Sequence, residues 1–359
     1  MIIYVILLSI IIFESIICYK SKNENKQKIY LIIIGILLIL VSGLRDKNIG
    51  VDTASYVNFF QNVSNLDNSQ LNSIYYEKGF ILFNKFLVLF SNHYSILLVI
   101  STLIIIIPIL LFIKENSNSI WMSVYLFVTL TFYYNSMNIM RQYIAIGLIL
   151  LSYSYVKKRK IIPFVFLVFL SASFHTTALV FLIVYFIPLI KLSYRKLNYL
   201  ILFTLIIYLF FPYFLKVFFN YFRIYTGYIY YLDSMNFGDI LKFLIMFLIL
   251  LFGIYFKYPN FQANKSTFIN DENLQTIIII IGTIFSFLAI RMSILSRITD
   301  YFFIFSIIYI PNVLKTIINP KLKLFVTYFV IIICLIYNFA ILIYRPEWFN
   351  VTPYNFYWN

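Results

Sequence analysis

Arginines, carboxylates and one histidine stand at the ends of apolar runs in four places. They are Arg45, Asp52 and Tyr56 in GLRDKNIGVDTASYVNFF (43–60), Arg141 in NIMRQYIAIG, His175 in SASFHTTAL, and Arg291, Arg297 and Asp300 in RMSILSRITDYFFIF. Guanidinium offers a planar fork of donors to phosphate or carboxylate, so the arginines are candidate anion ligands. Carboxylate and imidazole are the groups that exchange protons with a bound hydroxyl. Arg297 and Asp300, three apart at a helix start, can share a face and pair. Arg141 and Arg291 have no carboxylate three or four residues away. A cation left so at the edge of an apolar run needs a lipid headgroup, a distant carboxylate or an anionic substrate. Bland alternatives stand beside each: Arg45 can snorkel to lipid phosphate, Arg297–Asp300 can be a purely structural pair, and His175 can be an ordinary helix-end histidine whose place at a break between two segments raises its interest. His93 lacks such a context and is read as structural.

The elements that must position these residues are membrane helices. The chain of 359 residues is 62% hydrophobic and 11% charged, with 40 Phe and 32 Tyr, and its mean hydropathy is +0.91. That composition excludes an ordinary soluble domain. Cys18 and Cys334 both fall inside apolar runs, so neither a disulfide framework nor a thiolate metal site is indicated. The two histidines sit in different segments without a carboxylate cluster, so no metal and no cofactor is expected. The formal charge of +15 is scattered over short loops rather than gathered on a polar domain, which argues against a nucleic-acid partner. The start, MIIYVILLSIIIFESIIC, lacks a basic n-region and a small-residue cleavage site and reads as a retained first helix.

A span needs about 20 apolar residues. Runs of that kind lie near 2–18, 29–44, 94–113, 119–136, 139–156, 161–173, 175–190, 197–215, 239–256, 274–290, 298–314 and 323–344. The expectation is an all-α, polytopic integral membrane protein of about 12 spans, within 10–13, formed as a single membrane domain over 1–359. The segment 79–90 is too short to span and carries Lys85, so it is placed in the interface or as a re-entrant piece of an extracytoplasmic loop at 45–93. On this threading 17 of the 28 Lys and Arg residues fall on one side, 15 of them lysines, whereas six of the other 11 are arginines. Lysine loops mark the cytoplasm, which puts both termini outside. Arginine at the opposite mouth works against that orientation and asks for another reason, for which anion binding is the natural one. The aromatic stretches YYNSMN and RIYTGYIYYL read as interfacial belts, though such rings also stack on sugars.

At these same places the chain resembles the EpsG-type branch of the Wzy-like polysaccharide polymerases. The resembling pieces are GLRDKNIGVDTASYVNFF, MRQYIAIGLIL, FHTTAL, SRITDYFFIFSIIYIP and the tail VTPYNFYW, in the family's order from residue 43 to the C-terminus. The resemblance implies an enzyme of the bacterial cytoplasmic membrane that joins undecaprenyl-pyrophosphate-linked oligosaccharide repeat units on the outer face, as in exopolysaccharide, capsule and O-antigen synthesis. The implied partners are the lipid-linked oligosaccharide, the bilayer, a chain-length regulator and a flippase. Arg45, Tyr56, Arg141, Arg291, Arg297 and Tyr301 would bind pyrophosphate or glycan. The acceptor hydroxyl would need a base from Asp52, His175 or Asp300, with Asp52 preferred because Asp300 has Arg297 nearby. Gly43 and Gly50 would let the backbone turn at the rim.

Two rivals compete with this reading. A polyprenyl-phosphate-dependent multi-span glycosyltransferase would carry an acidic pair in its first outer loop, whereas Asp46 and Asp52 are six apart and later. A lipid-linked oligosaccharide flippase would place ionisable groups near the bilayer midplane and show two related halves; the charges here gather at one mouth.

Overall fold

A computed structural model describes residues 1–19, 24–67, 76–189, 199, 202–210, 213, 235–263 and 271–358. The protein is all-α: the β contact is an isolated antiparallel bridge between Arg45 and Phe356. In chain order the helices are α1 Ile2–Tyr19, α2 Glu24–Gly43, α3 Thr53–Asn62, α4 Lys78–Val88, α5 Ser95–Asn116, α6 Ile120–Thr129, α7 Phe132–Asn138, α8 Met140–Lys157, α9 Ile161–Ala172, α10 Phe237–Ala263, α11 Asp271–Ala289, α12 Ser296–Phe303, α13 Ser306–Thr316 and α14 Pro320–Tyr344. A 3-10 segment runs over Thr176–Leu189, and 202–210 is helical. Contacts divide the chain into two compact units, Met1–Leu179 with Ile317–Asn359, and Val180–Thr316.

Among the described residues four helices are each long and apolar enough to cross a bilayer: Asn25–Gly43, Ser95–Asn116, Phe237–Lys257 and Pro320–Tyr344. The pair Ser293–Phe303 and Ser306–Thr316, bent by 49°, makes a fifth if taken as one span. Their outward faces are apolar, as lipid requires. On α14 Phe325, Phe329, Ile332 and Ile336 are exposed, while Val330, Cys334 and Asn338 on the inward side are buried. The other expected runs are helical where described, and some of them are interrupted. The run at 119–136 breaks at Thr131, whose φ of 67° lies in the left-handed region, and 161–190 breaks between Ala172 and Thr176, as expected for two short pieces. The run at 197–215 is described only over 202–210 and two flanking residues; the stripe at 223–232, Lys216 and Arg223 lie outside the described residues.

In the first unit small residues let backbones approach. A Cβ on Gly35 of α2 would come within 2.7 Å of Leu110 Cδ1, and one on Gly43 within 3.3 Å of Val99 Cα. Gly43 thus packs α2 on α5 and closes a helix, where a turn was expected of it. Ser42 Oγ meets Thr102 Oγ1 at 3.0 Å across the same contact. The break between α6 and α7 frees carbonyls that a membrane interior cannot hydrate. Asn338 of α14, fully buried, donates Nδ2 to Val128 O at 3.2 Å and meets Tyr134 OH at 3.4 Å through Oδ1. Tyr133 OH donates to Leu38 O at 2.8 Å. The YYNSMN stretch is therefore interior: Tyr133 and Tyr134 are both fully buried, and α2 and α14 supply the acceptors that their hydroxyls need.

The second unit is built on ring packing, with Phe285 stacked on Phe302 at 5.7 Å and Phe181 on Phe305 at 5.9 Å. Lys257 of α10 is buried there, 4.7 Å from the Tyr309 ring and 3.4 Å from Thr276 Oγ1.

Candidate functional site

The opening loop between α2 and α3 is held by the C-terminal tail. Asp46 N donates to Asn355 O at 3.0 Å, Gly50 N to Asn350 O at 2.9 Å and Tyr357 N to Leu44 O at 3.0 Å. Tyr354 OH reaches Val41 O at 2.6 Å, and Tyr4 OH of α1 reaches Val351 O at 3.0 Å. Gly50 has φ +98°, and a Cβ there would lie 2.7 Å from Met137 O. Only glycine meets both demands without strain.

Arg45 lies under this clasp and is 1% exposed. It donates Nη1 to Ser42 O, Nη2 to Met137 O at 3.0 Å and Nε to Ile49 O at 3.4 Å. Ser42 lies in the last turn of α2 and Met137 in the last turn of α7, so one cation serves the negative ends of two helices. Burial pulls its pKa down to about 10, which leaves it charged at neutral pH. Sequence analysis offered Arg45 as an anion ligand or as a cation snorkelling to lipid phosphate; in the structure its guanidinium donates to backbone carbonyls beneath the tail.

The clasped loop also positions Asp52 against the end of α7. Asp52 N donates to Asn138 Oδ1 at 3.1 Å, and Thr53 Oγ1 to Met137 O at 3.0 Å. Tyr56, one turn into α3, donates its hydroxyl to Asp52 Oδ2 at 3.4 Å. Burial pushes the Tyr56 hydroxyl up to about 12 despite the opposing pull of Arg141, so it stays a donor at physiological pH. Asp52 itself is half-buried.

Arg141, in the first turn of α8, is 9% exposed. Its guanidinium carbon lies 4.6 Å from the ring centre of Tyr76 and 5.7 Å from those of Tyr56 and Phe80. The three rings touch one another, with Tyr76–Phe80 at 5.5 Å and Tyr56–Phe80 at 5.6 Å. The cage forms because α3 and α4 each bury one aromatic edge: Tyr56, Val57 and Phe60 on α3, Phe80 and Ile81 on α4. Arg141 Nη1 pairs with Glu77 Oε2, and Glu77 Oε1 accepts from Thr176 N–H at 3.2 Å. Gly79 N donates to Ser173 O at 2.9 Å, and a Cβ on Gly79 would come within 2.5 Å of the same oxygen. A glycine at 79 thus docks the start of α4, with Glu77, onto the break after α9. His175 sits in that break, 7% exposed, with Nδ1 2.6 Å from Thr177 Oγ1.

Of the expected residues, then, Asp52, Tyr56 and Arg141 are gathered by one network in the first unit, and His175 precedes the Thr176 amide that the network reaches through Glu77. Glu77 and Tyr76 belong to it as well and were missed. A distant carboxylate was one of the partners open to Arg141, yet nothing in the spacing chooses among the acidic residues of the long loop. The arrangement offers a caged cation, an oriented carboxylate and aromatic edges, which suits an anion carrying an apolar or sugar-like body.

The second unit holds the remaining expected residues. Asp300, 5% exposed, accepts from Lys242 Nζ at 2.8 Å, and the same ammonium reaches Ser296 Oγ at 2.7 Å. Asp300 thus pairs with Lys242 of α10. Arg297 is exposed and Tyr301 fully buried. Arg291 lies 4.6 Å from the Tyr208 ring centre and donates Nη1 to Tyr208 O at 3.1 Å.

No curated protein and no solved structure matches the chain. A family model, that of the EpsG family, matches residues 28–356. The match takes in the opening loop, the Arg141 cage, the His175 break and all but the last residues of the tail that clasps the loop. Its description and the apolar helices agree on an integral membrane protein of polysaccharide biosynthesis. By that match over nearly its whole length, the chain belongs to the EpsG family.

Proposed function

We propose that the protein is a glycosyltransferase-type polysaccharide polymerase that joins undecaprenyl-pyrophosphate-linked oligosaccharide repeat units on the outer face of the bacterial cytoplasmic membrane. About twelve crossings with both termini outside belong to this reading, as does α4 lying in the outer interface. The observation that carries it is Arg141: a cation nine-tenths buried among three rings, beside a half-buried carboxylate. A pyrophosphate leaving group gains charge as the glycosyl bond breaks, and a preorganised guanidinium stabilises that charge without reorganising. Rings around the cation keep its fork fixed and give sugar a face to stack on. Asp52 takes the proton of the acceptor hydroxyl, with Tyr56 OH holding the carboxylate in place. His175, whose ring is fixed by Thr177, stands at the edge of the same network as a second proton-exchanging group. Arg291 and Arg297 are proposed as further ligands of the pyrophosphate or glycan. A flippase and a chain-length regulator are the expected working partners, since repeat units must arrive outside and polymer must stop.

The test is deletion of the gene in its native host, with gel analysis of surface polysaccharide and of lipid-linked intermediates. The polymerase reading expects single repeat units on the outer face and no polymer, restored by the wild-type gene. Units trapped on the cytoplasmic face would instead mark a flippase, and unchanged polymer would sink the reading.

A further inference from the structure

Arg141 presents a difficulty for any anion-binding role, because a carboxylate already neutralises it. Glu77 divides its oxygens between two donors, Oε2 on Arg141 Nη1 and Oε1 at 3.2 Å from the Thr176 N–H. Thr176 opens the 3-10 segment, so its amide is one of the donors that a helix start leaves without an internal partner, and the local dipole favours negative charge there. A guanidinium together with such an amide is the donor set that receives a phosphate group. A second observation is independent of the helix start. Arg141 is 9% exposed and its Nε has no hydrogen-bond partner. The cage of Tyr56, Tyr76 and Phe80 holds the fork in place, and the one carboxylate has both oxygens in use. The donors therefore exceed what Glu77 satisfies.

We infer that Glu77 is a placeholder: its carboxylate occupies a phosphate subsite in the ligand-free protein and is exchanged for a phosphate group of a lipid diphosphate. The identity of the ligand rests on the polymerase reading; the exchange rests on the geometry around Arg141. Glu77 is then a specificity-determining residue. A phospholipid headgroup brings a single phosphodiester charge and gains little by displacing a carboxylate of equal charge. A diphosphate carries more charge and more oxygens, enough to take Nη1, Nε and the Thr176 amide together. The bilayer is crowded with phosphodiesters, so a bare caged arginine would fill with the wrong ligand. Glu77, with its side chain 16% exposed, stands where the exchange can occur.

The experiment uses the full chain in dodecyl maltoside micelles, which contain no phosphate, with farnesyl diphosphate as the probe and phosphatidylglycerol as the competing phosphodiester. Wild type is expected to bind the probe through Arg141 and to ignore phosphatidylglycerol. Glu77→Gln is expected to bind the probe about tenfold tighter, the scale of one charge-assisted hydrogen bond released from competition, and to become sensitive to phosphatidylglycerol. Unchanged or weaker binding in Glu77→Gln at wild-type thermal stability would overturn the placeholder, and so would continued indifference to phosphatidylglycerol. Should Glu77→Gln fail to fold, Thr176→Pro removes the amide donor at a position that tolerates proline. It is expected to weaken the probe about tenfold, and full affinity there would overturn the subsite. Wild type that binds no diphosphate at all defeats the polymerase reading as well, whereas Arg141-dependent binding with an unmoved Glu77→Gln defeats the placeholder alone.

Discussion

Arg45 and Arg141 are both more than nine-tenths buried, and both stand beside the short helix α7, yet their surroundings are opposite in kind. Arg45 meets backbone carbonyls of Ser42, Met137 and Ile49, main-chain acceptors fixed by the fold. Arg141 meets three aromatic rings and a side-chain carboxylate that can move away. The first guanidinium is used up by the fold. The second is held in position but only partly satisfied. A buried arginine is therefore assigned by what accepts its protons: main-chain acceptors make it structural, and exchangeable acceptors leave it available for chemistry.

The comparison can be broken most directly at Arg45. Arg45→Ala removes the donors to Ser42 O and Ile49 O and one of the two donors to Met137 O, at about 1–3 kcal/mol for each buried acceptor left unsatisfied. The expected outcome is loss of folded protein from the membrane, seen as little or no monodisperse material after detergent extraction. Arg45→Lys is expected to rescue poorly, because one ammonium cannot reach three acceptors in the arginine's fixed geometry. Wild-type yield and thermal stability in Arg45→Ala would erase the distinction between the two arginines.

Gly50→Ala comes next. Positive φ and the approach of Met137 O together predict a loss of about 1–3 kcal/mol, the scale for a residue held in a disfavoured backbone region. A thermal midpoint lowered in detergent, with activity falling alongside because Asp52 is two residues away, is the expected result. Tyr354→Phe is milder: it removes one hydrogen bond to Val41 O, worth about 1 kcal/mol, and should lower the midpoint slightly without touching ligand affinity.

A smaller effect sharpens the picture of Tyr56. Its pKa is raised by burial to about 12, above the ordinary value near 10. Below pH 10 both folded and unfolded states keep the proton, so Tyr56 makes stability no more pH-dependent. Between about 10 and 12 the unfolded state releases a proton that the folded state holds, and stability falls as pH rises. Tyr56→Phe should remove that part of the alkaline decline, and an identical decline in the variant would contradict the assignment.

Much of this architecture was legible beforehand, and the reasons are physical. Long apolar runs such as 95–116 announce membrane helices by length alone, and the break near His175 followed from small residues between two short runs. Asp52, Tyr56, Arg141 and His175 could be singled out beforehand because, on the expected threading, arginine at the outer mouth opposes the charge rule and asks for a cause. What could not be read was pairing at a distance. That Asn355 would cover Asp46, that Asn338 would serve Val128, or that Glu77 would meet Arg141 depends on which loops fold over which, and no spacing encodes it. The inward turn of Arg45 escaped for the same reason, since the covering tail lies some three hundred residues further along.

The central claim is that Arg141 stabilises an anionic leaving group while Arg45 holds the fold. The measurement that tests it most directly is polymer formation by purified protein in nanodiscs supplied with lipid-linked repeat units, comparing wild type, Arg141→Ala and Arg141→Lys at matched thermal stability. The account predicts a loss of about a hundredfold or more in both variants, the scale of a removed transition-state donor, because lysine restores the charge without the caged planar fork. Polymerisation by Arg141→Ala at the wild-type rate would contradict it.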